Sequence, residues 1–171
     1  MVGQSSRDEA YLLALLNTTP TVDGARRDQL ADDGAVRDWV RRHLTDPPSR
    51  VDPGLLRATR DALQHTVRAT GEPDALAAAL AGISARPALA GGAVTWTLTG
   101  PAERMPAARA VLAWDALAAG PPGRLRACAN DECSLFLVDH SKSNNARWCS
   151  MAVCGNRMKA RRHYTRRAAQ G

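Results

Sequence analysis

The stretch Arg124–Arg167 reads RLRACANDECSLFLVDHSKSNNARWCSMAVCGNRMKARRHYTRR and holds every cysteine of the chain: Cys128, Cys133, Cys149 and Cys154. As a pattern it is C-x4-C, fifteen residues, then C-x4-C. Two cysteines a short loop apart form a knuckle that offers two thiolates to one metal ion, and a second pair completes the tetrahedral shell that Zn²⁺ prefers. Ser134–Arg147 is long enough for a strand, a turn and a return strand, so that both knuckles face one ion. Leu135–Val138 reads as the strand, the polar run Asp139–Asn145 as the hairpin tip, and Ala146-Arg147-Trp148 as the return, with Trp148 shielding the site. Gly155, just after the last cysteine, permits a close backbone turn. A basic, helix-permissive segment follows to Arg167. Knuckle, hairpin, knuckle, helix is a treble-clef-like order.

Four thiolates are soft donors that select Zn²⁺, with iron the usual competitor. They leave no position open for water, so the predicted site is structural and not catalytic. His140 is an alternative ligand within reach in sequence, but four cysteines already fill the shell. The rival use of four cysteines is two disulfides in an oxidising setting. Ligand spacing and the short window favour metal. Met1–Glu9 lacks the basic start and apolar core of a secretory signal, so the expected compartment is the reducing cytoplasm. No run of eighteen apolar residues occurs, and no membrane partner is expected. A module this small holds few apolar side chains, so metal should supply much of its folding free energy. The corresponding expectation is that a chelator unfolds residues 124–167 and leaves the rest intact.

Charge is unevenly placed along the 171 residues. From Arg124 onward there are ten Lys and Arg against three acids, whereas the first 123 residues hold 13 basic and 14 acidic side chains. A near-neutral body with a basic end is the asymmetry expected when one end meets a polyanion. Two effects reduce it: arginine outnumbers lysine throughout, and a zinc ion with four thiolates carries a net negative charge that some arginines neutralise.

The first 119 residues read as mainly α with one β-hairpin. Asp8–Asn17 carries Tyr11, Leu12, Leu15 and Leu16 at helical spacing. Asp32 or Asp33 caps a second helix with Val36, Trp39, Val40 and Leu44 on one stripe. Asp52-Pro53 is a strong helix start, and Leu55, Leu56, Thr59, Leu63 and Val67 carry its buried face toward Gly71. Pro73–Ile83 reads as an alanine-rich helix. Arg86–Thr99 alternates around Gly91-Gly92 and reads as a hairpin. Ala107–Ala119 is a last helix, and Gly120-Pro121-Pro122-Gly123 is a linker. The expected units are a helical domain at 1–119, the linker at 120–123, and a finger at 124–171.

Little in this body suggests chemistry. His43 and His65 have no partner at ligand spacing and read as surface or helix-end residues. Trp39, Trp96 and Trp114 read as core. Asn17-Thr18 could line a pocket, and helix capping is the simpler use. No nucleophile elbow, phosphate loop or H-E-x-x-H is present, so no enzyme is expected.

The residues quoted above resemble the CGNR zinc-finger family of bacterial proteins. The match rests on Arg-x-Cys at 126–128, Leu-Phe-Leu-Val-Asp at 135–139, Arg-Trp-Cys-Ser-Met at 147–151 and Cys-Gly-Asn-Arg at 154–157 before Met-Lys-Ala-Arg-Arg. The first 120 residues resemble the ABATE domain that accompanies this finger, with Leu-Leu-Asn-Thr at 15–18. One departure is Val138, an extra residue in the family's short apolar-Asp-x-Ser run. The resemblance implies a stress-linked transcription regulator whose finger binds DNA. It places zinc on Cys128, Cys133, Cys149 and Cys154, and nucleic acid on Arg157 with its basic neighbours.

Arg157 and Arg161 stack at i, i+4 on a helix from Gly155, as do Arg162 and Arg166, while Lys159 and Arg167 point elsewhere. Charge wraps the helix, as suits an end lodged against phosphates or in a major groove. With Arg147, these seven are the candidate DNA contacts. One finger buries little surface, so a homodimer through the helical body and a small-molecule ligand of the N-terminal domain are the further partners expected. The alternative is an RNA-binding or protein-docking zinc module. Aromatic stacking platforms are scarce, which disfavours single-stranded RNA.

Overall fold

The computed structural model describes residues 6–168, the side chains of Arg162, His163, Arg166 and Ala168 excepted. Its architecture is mainly α with small antiparallel hairpins. The helices are α1 (Ser6–Leu16), α2 (Asp33–His43), α3 (Pro53–Val67), α4 (Ala77–Leu80), α5 (Met105–Ala118) and α6 (Asn156–Ala168). Among the described residues the strands pair two by two: β1 (Thr21–Val22) with β2 (Ala25–Arg26), β3 (Ser84–Ala90) with β4 (Ala93–Thr99), and β5 (Leu125–Ala127) with β6 (Phe136–Val138).

Local chemistry sets the helix starts. The Asp32 carboxylate accepts from the Ala35 N–H at 2.8 Å and caps α2. Asp52 does the same for Leu55 at 2.9 Å, with Pro53 opening α3 where a missing N–H costs nothing. On α1, Tyr11, Leu12, Leu15 and Leu16 are buried on one face. α5 meets them with Ala107, Ala110, Val111 and Ala113, small enough to let two backbones approach. The buried Tyr11 hydroxyl donates to the Pro106 carbonyl at 3.0 Å, so no polar atom there is orphaned. Trp39, Val36 and Val40 from α2 and Leu56 and Leu63 from α3 complete this core. Phe136 of β6 joins it at 1% exposure, with Leu125 and Ala127 of β5 packed alongside.

Four local expectations change. Pro73–Ile83 is not one helix: a 3₁₀ turn (Pro73–Leu76) leads into the single turn α4, and extended Ala81 and left-handed Gly82 (φ +76°) end it. Only Leu76 and Ala79 of this run are buried, too narrow a face to hold a longer helix. Trp96 is not core; it lies 37% exposed on the β3–β4 hairpin. Asp23 and Gly24, both left-handed, turn the β1–β2 hairpin, which has no counterpart in the expected elements. Finally, β6 has no return strand. It pairs backward with β5, Ala127 opposite Phe136 and Leu125 opposite Val138, so the first cysteine knuckle lies in the turn of that hairpin.

Candidate metal centre and its basic helix

β5 delivers Cys128, whose N–H donates to the Leu135 carbonyl at 2.8 Å and closes the β5–β6 ladder. The chain between them folds as a knuckle, with the Cys133 N–H donating to Asn130 O at 2.8 Å. The Ala129 N–H reaches Arg147 O at 2.8 Å, which draws the second knuckle beside the first. Cys149 follows, and a π-helical turn (Met151–Gly155) carries Cys154 to the start of α6. Gly155 packs closely there. A Cβ on it would lie 2.8 Å from Met151 Sδ and 3.3 Å from Trp148 Cδ1. Its role is close packing under Trp148, which is half-buried at the site.

The four Sγ atoms lie within 4.8 Å of one another, with Cys133 and Cys149 3.7 Å apart and Cys149 and Cys154 3.6 Å apart. A tetrahedron of sulfurs at the usual Zn–S bond of about 2.3 Å has edges of about 3.8 Å. A disulfide would need about 2.05 Å, and all four cysteines are free thiols. The donor set therefore fits a metal ion. Asn130, fully buried, donates its side-chain amide to Cys154 Sγ at 3.5 Å, and the Cys149 N–H donates to Cys128 Sγ at 3.5 Å. Such N–H···S bonds orient thiolate ligands and damp their charge.

The thiols differ in acidity. Burial pushes Cys133 up. Burial and hydrogen bonds with the neighbouring thiols push Cys149 further up. For Cys154 burial also opposes ionisation, but the Asn130 amide and the adjacent thiols outweigh it and hold the thiol below its ordinary value. The positive end of α6, which starts two residues later, acts in the same sense. Four thiolates cannot crowd one volume without a cation to offset them.

His140 is not at this cluster. Its Nε2 meets Glu9 Oε1 at 2.6 Å, tying the loop to the first turns of α1. That loop is organised by Asp139, buried at 3% exposure, whose oxygens accept the N–H groups of Ser141 (2.8 Å) and Ala146 (2.7 Å). Ser141 and Ala146, with Arg126 near the same carboxylate, hold Asp139 down at a pKa of about 2.

The candidate DNA contacts fall into three groups. Arg157 and Arg161 both turn to Glu132 in the first knuckle, at 3.9 Å and 2.5 Å. Lys159 and Arg167 are exposed on α6, and Arg147 is exposed with its guanidinium 5.2 Å above the Trp148 ring. The side chains of Arg162 and Arg166 lie outside the described residues.

Of the Asn17-Thr18 pair, Thr18 caps α1, its hydroxyl donating to Leu15 O at 2.8 Å. The Asn17 side chain instead mimics a strand, a role sequence reasoning did not give it. Asn17 Oδ1 accepts from the Phe136 N–H at 2.7 Å, and Nδ2 donates to Phe136 O at 3.2 Å. Ser134 donates to Thr19 O at 2.7 Å, and Arg68 donates to Ser134 O at 2.8 Å while lying 4.1 Å over the Phe136 ring. These contacts dock the cysteine module on α1 and α3. Asn17 could have been suspected only as a polar residue closing an apolar stripe. Asn130 and Glu132, also unanticipated, carry a signal only in their place between two ligands.

Comparison with known proteins agrees with this geometry. Residues 124–167 match the family described as "CGNR zinc finger". Residues 9–130, well over half the chain, match the family described as "Putative stress-induced transcription regulator", named ABATE. No curated protein matches the chain. A helical body whose Asn17 and α3 grip a four-cysteine module is thus a member of the ABATE family carrying a C-terminal CGNR zinc finger.

Proposed function

We propose that this chain is a DNA-binding transcription regulator that works in the cytoplasm by binding and not by catalysis. In this reading Cys128, Cys133, Cys149 and Cys154 hold a structural zinc ion, and the ion fixes α6 against the nucleic acid. One observation carries it: the four sulfurs converge at the N-terminal end of a helix that bears Arg157, Lys159, Arg161 and Arg167. Zinc would bind the thiolates and lock the knuckles together. Asn130 and the Cys149 N–H would orient the sulfurs, and Gly155 would let α6 start under Trp148. Lys159, Arg167 and Arg147 are free of the Glu132 carboxylate and would meet phosphates first.

Duplex DNA is favoured over single-stranded RNA because stacking surfaces are few. Phe136 is buried and Trp148 is half-buried beneath Arg147. A second reading, a protein-docking finger, draws on Met151 and Val153, which are 55% and 56% exposed beside the last ligand. The N-terminal domain in the main reading senses a ligand or pairs two subunits.

The test is binding of the zinc-loaded chain to labelled duplex DNA and to RNA across a salt series, repeated after chelation. Phosphate binding through four to six cations should give a slope of log K against log salt of roughly −3.6 to −5.4 on duplex DNA. It should vanish without zinc. Equal binding to RNA, or none to either, would discard the regulator reading.

A further inference from the structure

The β3–β4 hairpin has two unlike faces. Its register places Ala85, Pro87, Leu89, Val94, Trp96 and Leu98 on one side, all apolar, and Arg86, Thr95, Thr97 and Thr99 on the other. A face patterned in this way is built to meet a core, and a lone two-stranded hairpin is marginal in water. Among the described residues nothing covers the tip: Leu89 is 78% exposed and Val94 60%. At the base, Trp96 and Leu98 border a cleft of about 750 Å³ whose far wall is Met105, Arg109 and Leu112 of α5. A naked apolar tip and an open cleft, which Asp8, Asp46 and Arg109 also line, therefore occur in the same molecule.

The two edges also differ. Gly91 and Gly92 (φ +59° and +77°) make a two-residue turn, next to which Ala90 and Ala93 form a hydrogen-bonded pair. Alternation then points the backbone N–H and C=O of Val94, Trp96 and Leu98 away from β3. The matching outer edge of β3 is interrupted by Pro87, which has no N–H to offer. Nothing interrupts β4. The hairpin's single charge is Arg86, on the polar face of β3, so no charge guards the open edge as edge strands ordinarily require.

We propose that the chain is a homodimer joined by this hairpin, with β4 pairing antiparallel to β4 of a second copy about a two-fold axis near Trp96. That register lays Val94 beside Leu98 of the other copy and carries each tip over the other's cleft, covering Leu89. The occupant is a second copy because the open edge of β4 carries no charge. It offers nothing to complement nucleic acid or a charged peptide, whereas edge-to-edge pairing of one strand with itself is isologous and closes after two subunits. The inference deepens the subunit-pairing part of the proposed function, and its test involves no DNA, so either can fail alone.

The experiment is light scattering of the zinc-loaded full chain at tens of micromolar, with the double variant Leu89→Lys/Val94→Lys beside it. The expected masses are about 37 kDa, twice the 18.3 kDa of one chain, for the wild type, and 18.3 kDa for the variant with its helical signal retained. Amide exchange of Val94, Trp96 and Leu98 in the wild type supplies a check that needs no variant: it should be slow and quicken on dilution. A monomeric wild type with these amides freely exchanging, including one whose cleft takes up a small molecule instead, would overturn the proposal. So would a variant that remains dimeric.

Discussion

Glu132 is set against the positive face of α6, and it engages two of the arginines expected to meet DNA. All three side chains are about half exposed, so the pairs add little to stability. Their effect falls on binding, because a phosphate must displace or share a carboxylate. A unit charge at about 4 Å is worth about 1 kcal/mol in water. Glu132→Gln should therefore tighten duplex binding about fivefold at low salt, with the gap closing as salt screens it. Equal or weaker binding by the variant would mean that the carboxylate positions the arginines and does not mask them. Asp139 makes a different prediction. Its folded pKa of about 2 lies below the ordinary carboxylate value near 3.9, so its contribution is present above about pH 4 and is lost as pH falls through 2. Compared in urea melts, the wild type should exceed Asp139→Asn by a constant margin at neutral pH that shrinks between pH 4 and 2. Thiolate protonation affects both chains and cancels in the difference. A margin unchanged down to pH 2 would show that the loop is held by other bonds.

At the scale of elements, Asn17 is the side chain that docks the β5–β6 hairpin at Phe136, beside the contacts of Ser134 and Arg68. Asn17 supplies both hydrogen bonds that a neighbouring strand would have made to Phe136. Asn17→Ala leaves an N–H and a carbonyl without partners where the strand enters the core, and should lower the unfolding free energy, measured in urea melts, by about 1–3 kcal/mol. A loss below about 0.5 kcal/mol would move the docking role to Arg68 and Ser134. What the sequence made legible follows the range of the interactions involved. Caps act over three residues, so Asp32 and Asp52 could be read directly. Cysteine spacing acts over a knuckle, so the cluster of four cysteines could be read together. Strand pairing is nonlocal: nothing in Leu135–Val138 says whether its partner lies before Cys128 or after Asn145, and the partner before it is the one formed. The Asp23-Gly24 dipeptide did carry a hairpin signal, but β1 and β2 are only two residues long and show no alternation. Trp96 sits in a well-patterned strand, and patterning reports a face built for burial without saying whether the covering surface belongs to the same chain.

For the whole molecule, the sequence divides sharply at Gly120–Gly123 into a neutral part and a basic part, whereas the packing does not divide there. Phe136 lies in one core with Leu12, Leu16 and Leu63, and Arg68 of α3 covers its ring. The strand that brings Phe136 to that core is registered at one end by Cys128, one of the four clustered cysteines. Metal and helical body are therefore linked through β6, and removal of zinc should not leave the body untouched, contrary to the simpler expectation from sequence. Withdrawing a large aromatic side chain from a core costs about 3–5 kcal/mol, and each kcal/mol lowers the melting temperature of a chain this long by about 2–4 °C. Calorimetry after verified chelation should then show the helical transition lowered by on the order of 10 °C, together with loss of the β5–β6 amide protection. Phe136→Ala in the zinc-loaded chain should reproduce most of that drop without releasing the metal, which separates the lost core contact from the lost ion. If the helical transition stays in place while zinc is gone, the body closes over the gap by itself, and the finger is joined to it by contact alone.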